Sequence, residues 1–180
     1  MLRIVVPEAE YFDEVNEVFV RTKEQVLHLE HSLVSMSKWE SKWNIPFLET
    51  EGRTTEQTID YVRCMTITQN VDPLTYISLT NDQIDQIAGY IDAPMTATVF
   101  TNSNDQSTNR EIMTSEVIYY YLTVLNIPFE CQKWHLNRLL TLIRVCSIKN
   151  APKKKMSRGE ILRQNQELNE ARRAKLNTKG

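Results

Sequence analysis

Glycine is scarce in this chain of 180 residues, which contains only 4 glycines. Soluble proteins average about 7% glycine, and glycine supplies the positive-φ conformations on which phosphate-binding loops and tight turns depend. The GxGxxG, P-loop, GxSxG and HExxH motifs are all absent. This composition favours helices and argues against nucleotide-binding α/β folds. We therefore expect a protein that is not an enzyme and that uses no cofactor.

Cysteines and long apolar runs are also few. Cys64, Cys131 and Cys146 form no CxxC pair, which argues against a disulfide framework and suits a reducing compartment. The most apolar stretch, near residues 117–129, is interrupted by an asparagine and a proline, so no membrane span is predicted. The N-terminus lacks the apolar region of a signal peptide. These features predict a cytosolic protein.

Charge is distributed unevenly along the chain. Residues 151–180 carry nine Lys or Arg against three acids, a net charge of +6, which leaves −8 on the first 150 residues. A basic tail on an acidic body indicates a negatively charged partner or docking on an acidic protein surface, although a solvated helix without a specific partner is equally compatible. The cations that define this tail are Lys153, Lys154, Lys155, Arg172, Arg173 and Lys175.

The hydrophobic pattern predicts an α+β fold that is predominantly helical, with a small N-terminal β element. Strands are predicted at residues 2–6 and about 18–29, where Val and Leu are frequent and, in the second segment, polarity alternates. Apolar spacings of three and four, with capping-box patterns at Thr54 and Thr80, predict a helical core. Its helices are placed at about 32–43, at 55–66, and from 81 to before Pro94. A short run from Met95 to Phe100 is compatible with another strand.

Residues 101–111 contain no apolar side chain and form a predicted linker. They separate a predicted N-terminal α+β domain, residues 1–100, from a helical hairpin at 112–150. Residues 151–180 are predicted as a projecting basic helix. The two hairpin helices are placed at 116–125 and at 131 to about 148. The apolar arc of the second is so wide that it is expected to be a central core helix.

Two histidine-containing pairs are candidates for chemical sites. Cys131 and His135 occupy positions i and i+4 of the second predicted hairpin helix, a spacing that can serve metal binding or thiol activation. Cys146 lies about 22 Å further along such a helix, too far to complete a tetrahedral site. His28 and His31 are interpreted as half-exposed surface or a packed polar edge. No metal site and no catalytic residue is assigned.

Nucleic-acid binding has some support from the predicted hairpin and tail. Residues 115–148 are superficially similar to a helix-turn-helix, and the basic tail can neutralise phosphates. A recognition helix exposes its reading face, however, whereas the second hairpin helix combines a wide apolar arc with only three cations, Lys133, Arg138 and Arg144. The tail alone can bind DNA or RNA without sequence specificity.

Aromatic residues in the hairpin favour protein binding, because aromatics anchor interfaces as well as fill cores. Three consecutive tyrosines begin at Tyr119, and at 100° per residue they fan across about 200° of a helix, so at least one is expected at the surface. The predicted partner-binding residues are Tyr119, Tyr120, Tyr121, Phe129, Trp134, Arg138 and Arg144.

The stretch from Tyr119 to Arg144 resembles small tail assembly chaperones of long-tailed bacteriophages. In that family an Ile-Pro pair, an aromatic residue and a leucine-rich helix form a compact hairpin that is followed by a basic, polar helix. The resemblance covers about residues 112–180. The matching residues are Ile127, Pro128, Trp134, Leu139, Leu140 and Ile143, with Met156–Gly180 as the tail.

This resemblance implies a non-enzymatic factor of the host cytoplasm. Such a factor keeps the long, helical tape measure protein soluble, recruits tail-tube subunits and is not retained in the finished particle. Exposed apolar helical surface and a charged tail suit that role. Two other classes stay open: a structural tail or virion component, and a nucleic-acid-associated accessory protein that acts through the basic tail.

Overall fold

The computed structural model describes residues 1–13, 17–49, 52–100, 112–151 and 158–176. It divides the chain into two compact units, Met1–Ser147 and Ile148–Gly180. Residues 1–100 and 112–147, which the sequence pattern assigns to different domains, belong to the same unit. The predicted linker at 101–111 lies outside the described residues.

The fold is α+β and predominantly helical, as predicted. The strands are β1 (Leu2–Val6), β2 (Ala9–Asp13), β3 (Val18–Thr22) and β4 (Gln25–Leu29). The α-helices are α1 (Leu33–Trp43), α2 (Thr55–Met65), α3 (Asn81–Asp92), α4 (Ser115–Val124), α5 (Leu136–Asn150) and α6 (Arg158–Leu176). Short 3-10 helices cover Pro73–Tyr76 and Phe129–Lys133. None of the described helices has the length and hydropathy that crossing a membrane requires.

The strands form an antiparallel ribbon in two segments. β1 pairs with β4 up to Val6 opposite Gln25, and β2 pairs with β3 from Ala9 opposite Thr22. The same number of residues separates these pairs on both strands, so the register continues across the gap. Pro7 lies in this gap, where the lack of an N–H group costs no ladder hydrogen bond.

The core lies between the first ribbon segment and the helices of the larger unit. Strand alternation turns Ile4 and Val6 of β1, and Leu27 and Leu29 of β4, to the buried side. Helical residues join them at the spacing of one helix face. The fully buried helical side chains are Leu33, Met36, Trp39, Met65, Ile118, Leu122, Leu136 and Leu139. The N-terminal elements and the hairpin therefore share one core.

The edges of the first ribbon segment are covered by neighbouring helices and their connections. Just beyond β4, the Glu30 N–H donates to the Met65 carbonyl at the end of α2 (2.9 Å). On the other side, Gln83 Nε2 of α3 donates to the Val5 carbonyl (2.8 Å). Covered edges do not recruit further strands. The same contacts place α2 and α3 at the two sides of the ribbon.

The capping boxes predicted from the sequence are present. Thr54 and Thr80 accept the backbone N–H groups of Gln57 and Gln83, and each glutamine side chain accepts the N–H of its threonine. These reciprocal bonds satisfy N–H groups that a helix start otherwise leaves unpaired. The predicted starts of α2 and α3 are confirmed.

The second hairpin helix begins later than predicted. Residues 129–133 form a 3-10 helix, and α5 starts at Leu136. The Leu136 N–H donates to the His31 carbonyl (2.9 Å), so the chain passes beside the end of β4 before α5 begins. Cys131 and His135 therefore do not share a face of one α-helix, and that prediction was wrong.

Two strand predictions also need correction. The segment at about 18–29 is not one strand, because the ribbon is interrupted between β3 and β4. Residues 95–100 contain no strand, although their composition is compatible with one. Such residues form a strand only where a partner edge is available, and the edges of the first ribbon segment are already covered.

A buried carboxylate joins the N-terminal elements to the hairpin. Glu40 of α1 is 7% exposed. Its Oε1 accepts the Phe47 N–H (2.8 Å) and its Oε2 accepts the Ser115 N–H (2.7 Å). Ser115 is the first residue of α4, where unpaired N–H groups and the helix dipole favour a negative charge. The charge is stabilised because each oxygen has a backbone donor.

Glu40→Gln tests this link. The amide would turn an NH₂ group towards one of the two backbone donors, leaving that buried donor unpaired. We expect a loss of about 2–3 kcal/mol in the free energy of unfolding, measured by urea denaturation. The matched control is Glu49→Gln, at an exposed position, with an expected change within about 0.5 kcal/mol. Equal stability of the two variants would contradict the role assigned to Glu40.

Candidate protein-binding surfaces

The three consecutive tyrosines of α4 occupy different environments. Tyr120 is 62% exposed, whereas Tyr119 and Tyr121 are partly buried against the core. Helix geometry predicts this fan from the sequence alone. Val124 lies one turn beyond Tyr120 on the same face and is also exposed. α4 therefore presents an aromatic and an aliphatic side chain to solvent.

Phe129 adds a second aromatic ring from the adjoining 3-10 helix. The ring is exposed and stacks on Tyr119, with 6.3 Å between ring centroids and 26° between planes. The Tyr119 hydroxyl donates to Gln132 Oε1 (2.9 Å), and burial raises the pKa of Tyr119. The Tyr119 ring is thus held in place and supports the Phe129 ring that stacks on it. We refer to Tyr120, Val124 and Phe129 as the hairpin surface.

The two arginines among the predicted partner-binding residues lie over aromatic rings. Arg138 Cζ is 4.1 Å from the centroid of the Trp134 ring. Arg144 Cζ is 4.0 Å from the centroid of the Phe100 ring. Such cation–π contacts contribute about 0.5–1 kcal/mol at exposed sites. Trp134 is partly buried against the core, so the structure gives these predicted partner-binding residues contacts within the chain itself.

The predicted basic tail, residues 151–180, falls in the smaller unit. Arg172, Arg173 and Lys175 lie on α6 with exposed side chains. All α6 side chains whose burial the structure describes are exposed. Lys153, Lys154 and Lys155 lie outside the described residues.

His31 is a core residue, which corrects its interpretation as surface or polar edge. Its Nδ1 lies 2.5 Å from the Tyr61 hydroxyl, and its ring packs edge-on against His135 with 5.0 Å between centroids. Burial, followed by the nearby charges of His135 and Arg53, lowers the pKa of His31 to about 3. Burial also raises the pKa of Tyr61. Both side chains are therefore neutral at pH 7.

The other candidates for chemistry are not activated. Burial raises the pKa of the Cys131 thiol, which is the opposite of the change that prepares a nucleophile. His135 Nε2 donates to the Tyr90 carbonyl (2.9 Å), and burial lowers the pKa of its imidazole. Within the described ranges, no group of three or more His, Cys, Asp or Glu side chains is arranged to hold a metal ion.

A groove between α2 and α3 is a feature that no sequence pattern indicated. It encloses about 580 Å³ and also receives Tyr61 and Tyr76. Its aliphatic lining consists of Ile59, Val62, Ile77, Leu79, Ile84, Ile87, Ala88 and Ile91. The spacing of the α3 residues predicts an apolar face, but only the structure shows that a groove runs along it. Three of these aliphatic residues, Ile77, Ile84 and Ala88, are exposed.

Arg53 lines this groove and is held in place by Phe47. The guanidinium donates to the Phe47 carbonyl, and its Cζ lies 4.0 Å from the centroid of the Phe47 ring. Burial lowers the pKa of Arg53. The arginine therefore acts as part of the packed wall rather than as a mobile surface charge.

No protein-family model, curated protein or solved structure matches this chain. The resemblance of the stretch from Tyr119 to Arg144 to tail assembly chaperones therefore stays a prediction.

The buried His31 predicts an acid-sensitive fold. The pKa of His31 is 6.5 in the unfolded chain and about 3 in the folded chain. Between these two values the unfolded chain binds more protons at His31, so the free energy of unfolding decreases as the pH is lowered. Between pH 7 and pH 5 the expected loss from His31 is about 2 kcal/mol, measured by urea denaturation at each pH.

His31→Gln should remove this contribution and leave that of His135, so its pH dependence should be weaker than that of the unaltered chain. The comparison is made on the change between the two pH values, because His31→Gln also loses the bond to Tyr61 and is less stable at both. An unchanged pH dependence in His31→Gln would refute the assignment.

Proposed function

We propose that this chain is a non-enzymatic tail assembly chaperone of a long-tailed bacteriophage. In this role it binds the tape measure protein and tail-tube subunits in the host cytoplasm. The observation that carries the proposal is the hairpin surface, where Tyr120, Val124 and Phe129 keep large apolar side chains in contact with water.

The residues that carry the family resemblance support the hairpin from within. Ile127, Leu139 and Ile143 are buried, and Trp134 and Leu140 are partly buried against the same core. The shared pattern therefore concerns the packing of the hairpin. In this proposal the exposed residues of the hairpin surface, not the residues of the shared pattern, contact the partner.

An exposed set of this kind suits a transient partner. Single exposed apolar residues are ordinary, but Tyr120 and Phe129 are two exposed aromatic residues on adjoining elements, and aromatic residues are typical interface anchors. Tyr120 and Phe129 are held by neighbouring rings, with 5.7 Å between the centroids of Tyr120 and Tyr121, so little side-chain freedom is lost on binding. A small apolar surface gives modest affinity, which allows release as the tail assembles.

The proposal predicts that an altered hairpin surface fails to hold its client. The double variant Tyr120→Asp/Phe129→Asp places charges where apolar contact is expected, and we expect it to lose the ability to keep co-expressed tape measure protein soluble. The measurement is the soluble fraction of tape measure protein after centrifugation. A matched control, Ile67→Asp/Val99→Asp, alters exposed apolar side chains elsewhere and should retain activity. Full activity of the hairpin variant would contradict the proposal.

A chaperone and a structural tail protein differ in where the chain ends up. We expect the chain to be abundant in infected-cell lysate and absent from purified particles, because an assembly factor leaves its client. Quantitative mass spectrometry of both samples measures this ratio. A stoichiometric amount in particles would instead support a structural component.

A further inference from the structure

The groove between α2 and α3 has the form of a helix-binding site. Ile84, Ile87 and Ile91 repeat along one face of α3, and Ile59 and Val62 of α2 also line the groove. The α3 stripe spans about 10 Å, or two helical turns. A helix bound in an apolar groove presents its own anchors at i, i+3, i+4 and i+7, a row of about the same length. The 580 Å³ volume falls within the range of about 300–1,000 Å³ that binding sites occupy.

The flank of α3 beside this apolar stripe is acidic. At 100° per residue, Asp82, Asp85 and Asp92 lie between roughly 80° and 160° from Ile84, all on the same side of the helix. Their side chains are exposed, and α3 contains no Lys or Arg. The opposite flank carries Gln83, which bonds to the ribbon. The solvent side of this groove wall therefore presents three carboxylates and no cation.

The α2 wall does not balance these charges. Its exposed Glu56 and Arg63 offset each other, and Arg63 Cζ lies 5.3 Å from the centroid of the Tyr76 ring. Arg53, which precedes α2, lines the groove and donates to the Phe47 carbonyl, so its positive charge stays on the α2 side. A partner lying in the groove thus meets an apolar floor, carboxylates on the α3 side and arginines on the α2 side, so the α3 side attracts cations and repels acids.

We propose that this groove binds an amphipathic helix of a protein partner, and that this helix carries Lys or Arg on the flank that meets α3. The inference deepens the proposed function and rests on it, since it supplies a second contact for a helical client. The apolar rows provide affinity, and the three aspartates select the charge and the orientation of the bound helix.

A pair of synthetic helices tests the site on the full chain. Each is a fluorescein-labelled amphipathic peptide of about 18 residues, five helical turns, with one leucine face and with either Lys or Glu along one flank. Fluorescence anisotropy should show at least about tenfold tighter binding of the Lys peptide at low salt, with the difference shrinking as salt screens the charges. Equal affinity for both peptides, or no binding of either, would overturn the proposal.

Two variants locate the bound peptide. Ala88→Trp fills the groove from an exposed position of α3 without removing a core side chain, and it should abolish binding of the Lys peptide. Ala97→Trp adds the same bulk at an exposed position that does not line the groove and should leave binding unchanged. Binding that survives Ala88→Trp would place the peptide elsewhere and overturn the proposal.

A charge exchange tests the selection by the acidic flank. The triple variant Asp82→Lys/Asp85→Lys/Asp92→Lys should prefer the Glu peptide. A control with the same change in net charge, Glu8→Lys/Glu17→Lys/Glu24→Lys, alters exposed acids outside the groove and should keep the preference for Lys. An unchanged preference in the aspartate variant would overturn the charge selection.

The remaining outcomes separate this inference from the proposed function. If tape measure protein stays soluble with Ala88→Trp while the Lys peptide fails to bind the unaltered chain, the groove inference is wrong and the chaperone function stands. If the peptides behave as expected but tape measure protein is never kept soluble, the chaperone function is wrong. Sedimentation showing a dimer that Ala88→Trp dissociates would identify a second copy of this chain as the occupant and overturn the inference.

Discussion

The carboxylate of Glu40 accepts hydrogen bonds from two backbone N–H groups that lie far apart in the sequence, and the position of the hairpin depends on this contact. Phe47 lies just beyond the end of α1, and Ser115 begins α4. A buried charge is tolerated only while its donors remain in place. The start of α4 is therefore fixed relative to α1, and with it the direction in which Tyr120 faces solvent.

His31 provides a second link of a different kind. Its carbonyl accepts the N–H of Leu136 at the start of α5, and its neutral ring lies among Tyr61, Phe47 and His135. One residue thus contacts Phe47 in the connection after α1, the middle of α2 and the beginning of α5. Together with Glu40, it makes the hairpin and the N-terminal elements a single packed unit whose exposed apolar side chains have defined positions.

The parts of the fold that could be predicted from sequence are those decided by neighbouring residues. Capping boxes predicted the starts of α2 and α3, and the 100° step of a helix was enough to predict that at least one of the three consecutive tyrosines reaches the surface. The burial of His31 could not be predicted this way, because it depends on Tyr61 and His135 arriving from other elements. The later start of α5 has the same origin, since the Leu136 N–H is taken by a carbonyl more than one hundred residues earlier.

The groove shows the same limit for the candidate site. Its α3 residues form an apolar stripe that the sequence displays, but an apolar stripe ordinarily predicts burial in the core. Only the placement of α3 beside the ribbon, through Gln83 and Val5, leaves part of that face along an open groove. A function in protein binding is thus supported by two separate surfaces, one aromatic on the hairpin and one aliphatic with an acidic rim.

Hydrogen exchange of the chain alone and in complex with the tape measure protein tests this account most directly. If both surfaces hold a helical client, complex formation should slow exchange in α3 and α4, while the backbone of β1 and β4, already in the packed ribbon, should change little. Failure to form a complex, or protection confined to α6, would contradict the claim that the larger unit binds the helical client.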